Sequence, residues 1–112
     1  MRQSAQRITG DDVLAKLSAL ANPQRLRIIA TLQAGGRNYV SQLARDIGIS
    51  RPLLNLHLQK LEAAGLVVSD FEVSDDGKAL RYFSVAEFSL VLDAARIAGL
   101  AETLTVQSTK ST

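Results

Sequence analysis

Between Ser41 and Gly65 two short helical patterns are joined across Gly48-Ile49-Ser50, and this tight join limits what the rest of the chain can become. The first pattern carries Leu43, Ala44 and Ile47 at helical spacing, with Ser41 as its cap. Gly48 ends it, because the chain must turn sharply and glycine accepts positive φ. Ser50 caps the second pattern, and Pro52 sits in its first turn, where a missing N–H costs nothing. Leu54, Leu58 and Leu61 then recur at the spacing of one buried helical stripe, and Gly65 closes the helix. A short helix, a glycine turn and a second helix make a helix-turn-helix.

The flanking segments complete a small domain. Residues 1–10, with Arg2 and Arg7, read as a flexible arm. Asp11 or Asp12 can cap a helix to about Leu20, apolar at Val13, Leu14, Leu17 and Leu20. Asn22-Pro23 starts a second helix carrying Leu26, Ile29, Ala30 and Leu32, which stops at Gly35-Gly36. Tyr39-Val40 is short and extended. Leu66–Val73 and Ala79–Val85 read as strands of a hairpin turning at Ser74–Lys78. On the return strand Leu80, Tyr82 and Ser84 share one face, and Arg81, Phe83 and Val85 the other. From Ala86 to about Leu104 helical spacing returns, through Phe88, Val91, Leu92, Ala95, Ile97, Ala98 and Leu100. A flexible tail, 105–112, follows a domain of residues 11–104. The fold class is mainly α with a β-hairpin wing, a winged helix-turn-helix.

The 112 residues have room for one domain, with 46% hydrophobic and 21% charged residues. No apolar run approaches the length of a membrane span, and the polar first ten residues lack the apolar stretch of a secretory signal, so the expected location is the cytoplasm. The net charge of +2 says little, but its distribution is uneven. From Pro23 to Lys60 six basic residues face one acidic, and from Leu61 to Val85 two face five. A basic centre suits a polyanion, and equally suits a solvated helix surface. No Ser/His/Asp constellation or positioned carboxylate pair points to an enzyme.

Three stretches carry a resemblance: Ala19–Ile28 (ALANPQRLRI), Leu43–Ser50 (LARDIGIS) and His57–Val67 (HLQKLEAAGLV). With them, Leu17 to Leu92 resembles the ArsR-type (arsenic-repressor-like) winged-helix regulators. The resemblance implies a homodimer on an operator, the fourth helix in the major groove, and first and last helices building the dimer interface through Val13, Leu14, Leu17, Leu20, Val91, Leu92, Ala95 and Leu100. Many members of that family sense metals through a Cys-x-Cys pair where this chain has Tyr39 and Ser41. Others use His and acidic ligands on the last helix, which here has no His and only Asp93 and Glu102. Without cysteine, and with His57 as the single histidine, no metal or other cofactor is expected.

On the fourth helix Arg51, Asn55, Gln59 and Lys60 are expected outside. Arg51 suits a guanine edge, Asn55 an adenine, and Ser50, beside Pro52, a phosphate at the helix N-terminus. Lys60 is placed for a phosphate. One of Leu53 and Leu56 can touch a thymine methyl; otherwise Leu53 packs on the third helix and Leu56 widens the apolar surface. His57 is structural or touches the DNA backbone. Gln42 on the third helix belongs with the DNA-facing set. In the wing Lys78 or Arg81 carries any contact, against the repulsion of Asp75 and Asp76. One of Arg25 and Arg27 can reach a phosphate, with an intramolecular pairing as the alternative, favoured for Arg25. The expected function is a sequence-specific DNA-binding transcription regulator, a repressor whose homodimer blocks a promoter, with room for an unidentified small-molecule effector. The alternative is a winged-helix protein–protein interaction module.

Overall fold

The computed structural model describes residues 8–105. The other residues of the expected arm (1–7) and tail (106–112) lie outside the described residues. Five helices and a small sheet follow in the order α1 (Gly10–Leu20), α2 (Pro23–Gly35), β1 (Asn38–Tyr39), α3 (Val40–Ile47), α4 (Arg51–Ala63), β2 (Val67–Val73), β3 (Ala79–Val85) and α5 (Ala94–Ala101). The sheet is antiparallel with order β1-β3-β2.

Local chemistry sets most of these boundaries. Asn22 Oδ1 accepts from the backbone N–H groups of Gln24 and Arg25, with Pro23 at the first helical position. Gly48, with φ of 87°, lets α3 stop and α4 begin three residues later, where Ser50 Oγ accepts from Leu53 N–H at 3.3 Å. The core lies where α2, α3 and α4 meet the sheet. Ile28, Leu32, Leu43, Leu54, Leu58, Leu61, Leu66 and Phe83 are almost wholly buried there. Each contributes about 1.5–3 kcal/mol by leaving water. This packing fixes the angle between α3 and α4 and so aims the outer face of α4.

Three expected boundaries are corrected. α1 is capped by Thr9, not by Asp11 or Asp12. Thr9 Oγ1 accepts from Asp12 N–H while the Asp12 carboxylate accepts from Thr9 N–H, a reciprocal capping box that draws Gly10 into the helix. α3 is capped by Tyr39 without a side-chain bond, and Ser41 lies inside the helix. The extended backbone is at Asn38–Tyr39, held by pairing with Phe83 and Tyr82 and by an edge-on contact between the Tyr39 and Tyr82 rings. The last helix is the shortest match. It spans only Ala94–Ala101, because Ala86 N–H donates to Leu66 O, Phe88 packs on the core, and Asp93 caps the helix by accepting from Arg96 N–H at 2.8 Å. Val91 and Leu92, expected on that helix, sit in the irregular segment before it.

α5 lies against α1. Gly10 N–H donates to Thr103 Oγ1 at 2.6 Å, and Asp11 Oδ1 accepts from Thr105 N–H at 2.9 Å. Gly10 is required by this approach, since a Cβ there would stand 2.3 Å from the Leu100 carbonyl oxygen. Of the residues expected in a dimer seam, Val13 is buried within the subunit and Leu20 packs on the core, while Leu14, Leu17 and Leu92 are partly exposed and Val91 and Ala95 are exposed. Leu100, with Val13, Leu14 and Leu17, lines an apolar cleft of about 160 Å³ between α1 and α5.

Candidate nucleic-acid interface

α4 divides cleanly into two faces. Leu54, His57, Leu58 and Leu61 are buried, and Arg51, Pro52, Asn55, Leu56, Gln59 and Lys60 are exposed. With 3.6 residues per turn, the exposed set forms two parallel rows, Arg51–Asn55–Gln59 and Pro52–Leu56–Lys60. Arg51 and Asn55 open onto a cleft of about 310 Å³ whose other walls are Ser41 at the start of α3 and Leu80 and Arg81 of β3. Ser41 was expected only as a cap. No local pattern marks it as a wall residue, because its place depends on how α3 sits beside the wing. Among the described residues the side chains of Arg51, Asn55 and Lys60 make no hydrogen bond or ion pair.

His57, expected to be structural or to touch the DNA backbone, is turned inward and only 9% exposed, as the structural alternative requires. Arg25 Nη1 donates to its Nδ1 at 3.1 Å, and Arg25 Nε donates to Ala19 O. A guanidinium only donates, so Nδ1 carries the lone pair and the ring proton sits on Nε2. Burial, then the charges of Arg25 and Lys60, push the His57 pKa below its ordinary value. The ring is therefore a neutral strut between α4 and α2. Arg25 is engaged in the same contact, and Arg27 Nη1 donates to Gln24 Oε1.

The remaining expected contacts are rearranged in the same way. Arg81 is not free at the wing. Its Nη2 donates to Glu62 Oε1 at 2.9 Å and to Ser69 Oγ, and its guanidinium lies 4.8 Å from the centre of the Phe83 ring. Gln42 is held between neighbours on α3, donating to Asp46 Oδ1 and accepting from Arg45 Nη2. Lys78, at the hairpin turn, has an exposed side chain without a partner among the described residues.

The acids of the wing are largely engaged. Arg37, which the sequence did not single out, reaches Glu72 at 2.6 Å and Asp70 at 3.6 Å and lies 4.4 Å from the centre of the Tyr82 ring. Glu62 is held by Arg81. Asp76 accepts from the Ser74 hydroxyl and from Lys78 N–H, and these bonds, the Ser74 one first, lower its pKa. The acidic residues thus anchor the hairpin to its neighbours and shape its turn, and Arg51 is left without an acidic partner among the described residues.

Comparison with known proteins agrees with this geometry. The helix-turn-helix domain family matches residues 20–70, from the end of α1 into β2. An uncharacterized HTH-type transcriptional regulator of Methanocaldococcus jannaschii is 38% identical over 82 residues, covering 73% of this chain and 84% of its own length. The HTH-type transcriptional regulator CmtR of Mycobacterium tuberculosis is 40% identical over 73 residues, 64% of this chain and 58% of CmtR. Among solved structures, a homodimeric winged helix-turn-helix DNA-binding domain from Mycobacterium bovis, named a possible ArsR-family transcriptional regulator, is 30% identical with a TM-score of 0.61, over 82% of this chain and 76% of that one. NolR from Sinorhizobium fredii is 25% identical with a TM-score of 0.57, over 88% and 91% of the two chains.

Proposed function

The chain belongs to the winged helix-turn-helix transcriptional regulators of the ArsR type, and from that premise we propose that it is a repressor whose homodimer occupies a promoter operator. The observation that carries this reading is the outer face of α4. Arg51 and Asn55 stand exposed and unpartnered in its N-terminal half, on a helix fixed by the core behind it. Ser50 and Pro52 start that helix, and its first N–H groups suit a phosphate. Lys60, a turn or more further on, and Lys78 at the wing tip suit the DNA backbone.

The dimer seam follows from α1 and α5. Leu14 and Leu17 remain 44% and 40% exposed, and Ile97 on α5 is half exposed. A second copy covering them would bring two recognition helices to bear on successive major grooves, about one helical turn apart. Occupying the promoter then excludes polymerase by bulk alone, with no chemistry performed. The apolar cleft between α1 and α5 suits a small apolar effector, which would act by favouring a dimer with the wrong helix spacing. Among the described residues no helix is long and apolar enough to cross a membrane. Action on a promoter places the working protein in the cytoplasm.

The test compares Arg51→Ala, Asn55→Ala and Lys60→Ala in competitive binding to single-base operator variants at several salt concentrations. The first two should each lose about 1–3 kcal/mol and relax preference at one base pair. Lys60→Ala should weaken all DNA alike and lower the salt dependence by about one unit per contact. Equal, sequence-blind losses for all three would show that α4 does not read bases. A second reading, contact with another protein, draws on the exposure of Leu53 and Leu56. It would take over if none of the three substitutions affected DNA binding.

A further inference from the structure

Leu56 is the apolar anomaly of the reading face. It is 57% exposed, has no place in the buried core, and is followed one turn later by Lys60 and preceded one turn earlier by Pro52. The Pro52–Leu56 row runs beside the polar Arg51–Asn55 row at the helical offset of one residue, about 100° around the axis. Both rows occupy the N-terminal half of α4, the part that enters a groove. Leu56 therefore stands next to Asn55 along the helix, about 100° around its axis.

We propose that Leu56 reads the C5 methyl group of a thymine, so that each operator half-site requires a thymine beside the base pair read by Asn55. This inference rests on the α4 reading surface proposed above and deepens it. In the major groove adenine, guanine and cytosine present hydrogen-bonding groups, and thymine alone adds an apolar one. A leucine pressed against a donor or acceptor strips it of water and returns no hydrogen bond, which is unfavourable. Against a methyl group the same side chain removes apolar surface from water on both partners. A polar residue at position 56 would tolerate several bases, whereas leucine favours one. In DNA without modified bases thymine is the only base to carry this methyl group.

The experiment uses the full chain and a duplex that it enriches from a randomised library. The duplex is then synthesised with deoxyuridine in place of individual thymines, which deletes only the methyl group. One thymine per half-site should prove sensitive. Its loss should weaken wild-type binding about fourfold in one half-site and about fifteenfold in both, the factor expected for one buried methyl-sized group. Leu56→Ala should bind the thymine and uracil duplexes within a factor of about 1.5 of each other, while Asn55→Ala should keep the methyl sensitivity. Because Leu56 is exposed, Leu56→Ala should fold normally, which an unchanged thermal transition verifies. Leu56→Met, which keeps an apolar tip, should retain the sensitivity. Wild-type binding indifferent to every uracil, or a Leu56→Ala protein as sensitive as the wild type, would overturn the inference and leave DNA reading by α4 intact. Failure to enrich any duplex would overturn the DNA-reading proposal itself, and this inference with it.

Discussion

Replacing Gly10 by alanine sets two opposed effects against each other within one methyl group. Alanine favours a helix over glycine by up to about 1 kcal/mol, so propensity alone predicts stabilisation of α1. The structure predicts the reverse. The added Cβ would meet the Leu100 carbonyl oxygen at 2.3 Å and Leu104 Cγ and Cδ2 at 2.9 Å. Leu100 O is backbone and cannot rotate away, so α5 must retreat by roughly an ångström to restore an ordinary contact. That retreat breaks the 2.6 Å bond from Gly10 N–H to Thr103 Oγ1 and strains the 2.9 Å bond from Thr105 N–H to Asp11. Overpacking of this kind costs about 1–3 kcal/mol, and each lost hydrogen bond about 1 kcal/mol. The clash therefore outweighs the propensity gain, and its effect falls on α5. Hydrogen exchange should show amides from Ile97 to Thr105 losing protection in Gly10→Ala, while those of α4 stay unchanged. Sedimentation at micromolar concentration should show the dimer weakened about tenfold or more, one decade for each 1.4 kcal/mol. Equal or greater α5 protection together with an undiminished dimer would refute both the close α1–α5 approach and the seam built on it.

Two further outcomes are expected. His57 titrates below its unfolded value of about 6.5, so the unfolded chain binds the extra proton first and stability falls as pH drops below about 6.5, with no contribution above it. Denaturant midpoints between about pH 7.5 and 5.5 should show this decline, and His57→Asn, which keeps an acceptor for Arg25 but cannot titrate, should flatten it. A wild-type midpoint constant across that range would refute the neutral strut. Zinc, nickel or arsenite should leave operator affinity unchanged, since no group of three His, Cys, Asp or Glu side chains able to hold a metal occurs among the described residues. A change of about tenfold in a binding titration would show that metal ligands had been missed.

Much of what depended on neighbours along the chain was legible in the sequence. Asn22-Pro23, Gly48, Ser50 and Gly65 act within a few residues of themselves, and each does in the structure what its chemistry dictates. Misreadings arose where two local rules competed or where a distant partner intervened. Asp11 and Asp12 are good caps, but Thr9 paired with Asp12 satisfies two backbone donors at once. Phe88, Val91 and Leu92 continue a helical spacing by coincidence, because Phe88 is drawn to the core and Asp93 caps a later start. The site shows the same division. Exposure of Arg51 and Asn55 follows from the period of α4 alone. The engagement of His57 with Arg25, 32 residues away, and of Arg81 with Glu62, 19 residues away, exists only once the helices are packed.

The two-residue strand β1 looks negligible as sheet, yet it fixes the mechanics of the molecule. Through Asn38 and Tyr39 it joins the start of α3 to β3, and Arg37 beside it grips Glu72 on β2 while lying over Tyr82. Helix pair and wing are thereby tied at one corner by backbone pairing, an ion pair and a cation–ring contact. A displacement of α1 and α5 would then be felt by α4 and the wing together. Any response to a signal at the terminal helices would then depend on leverage, set by the lever arm from those helices to α4.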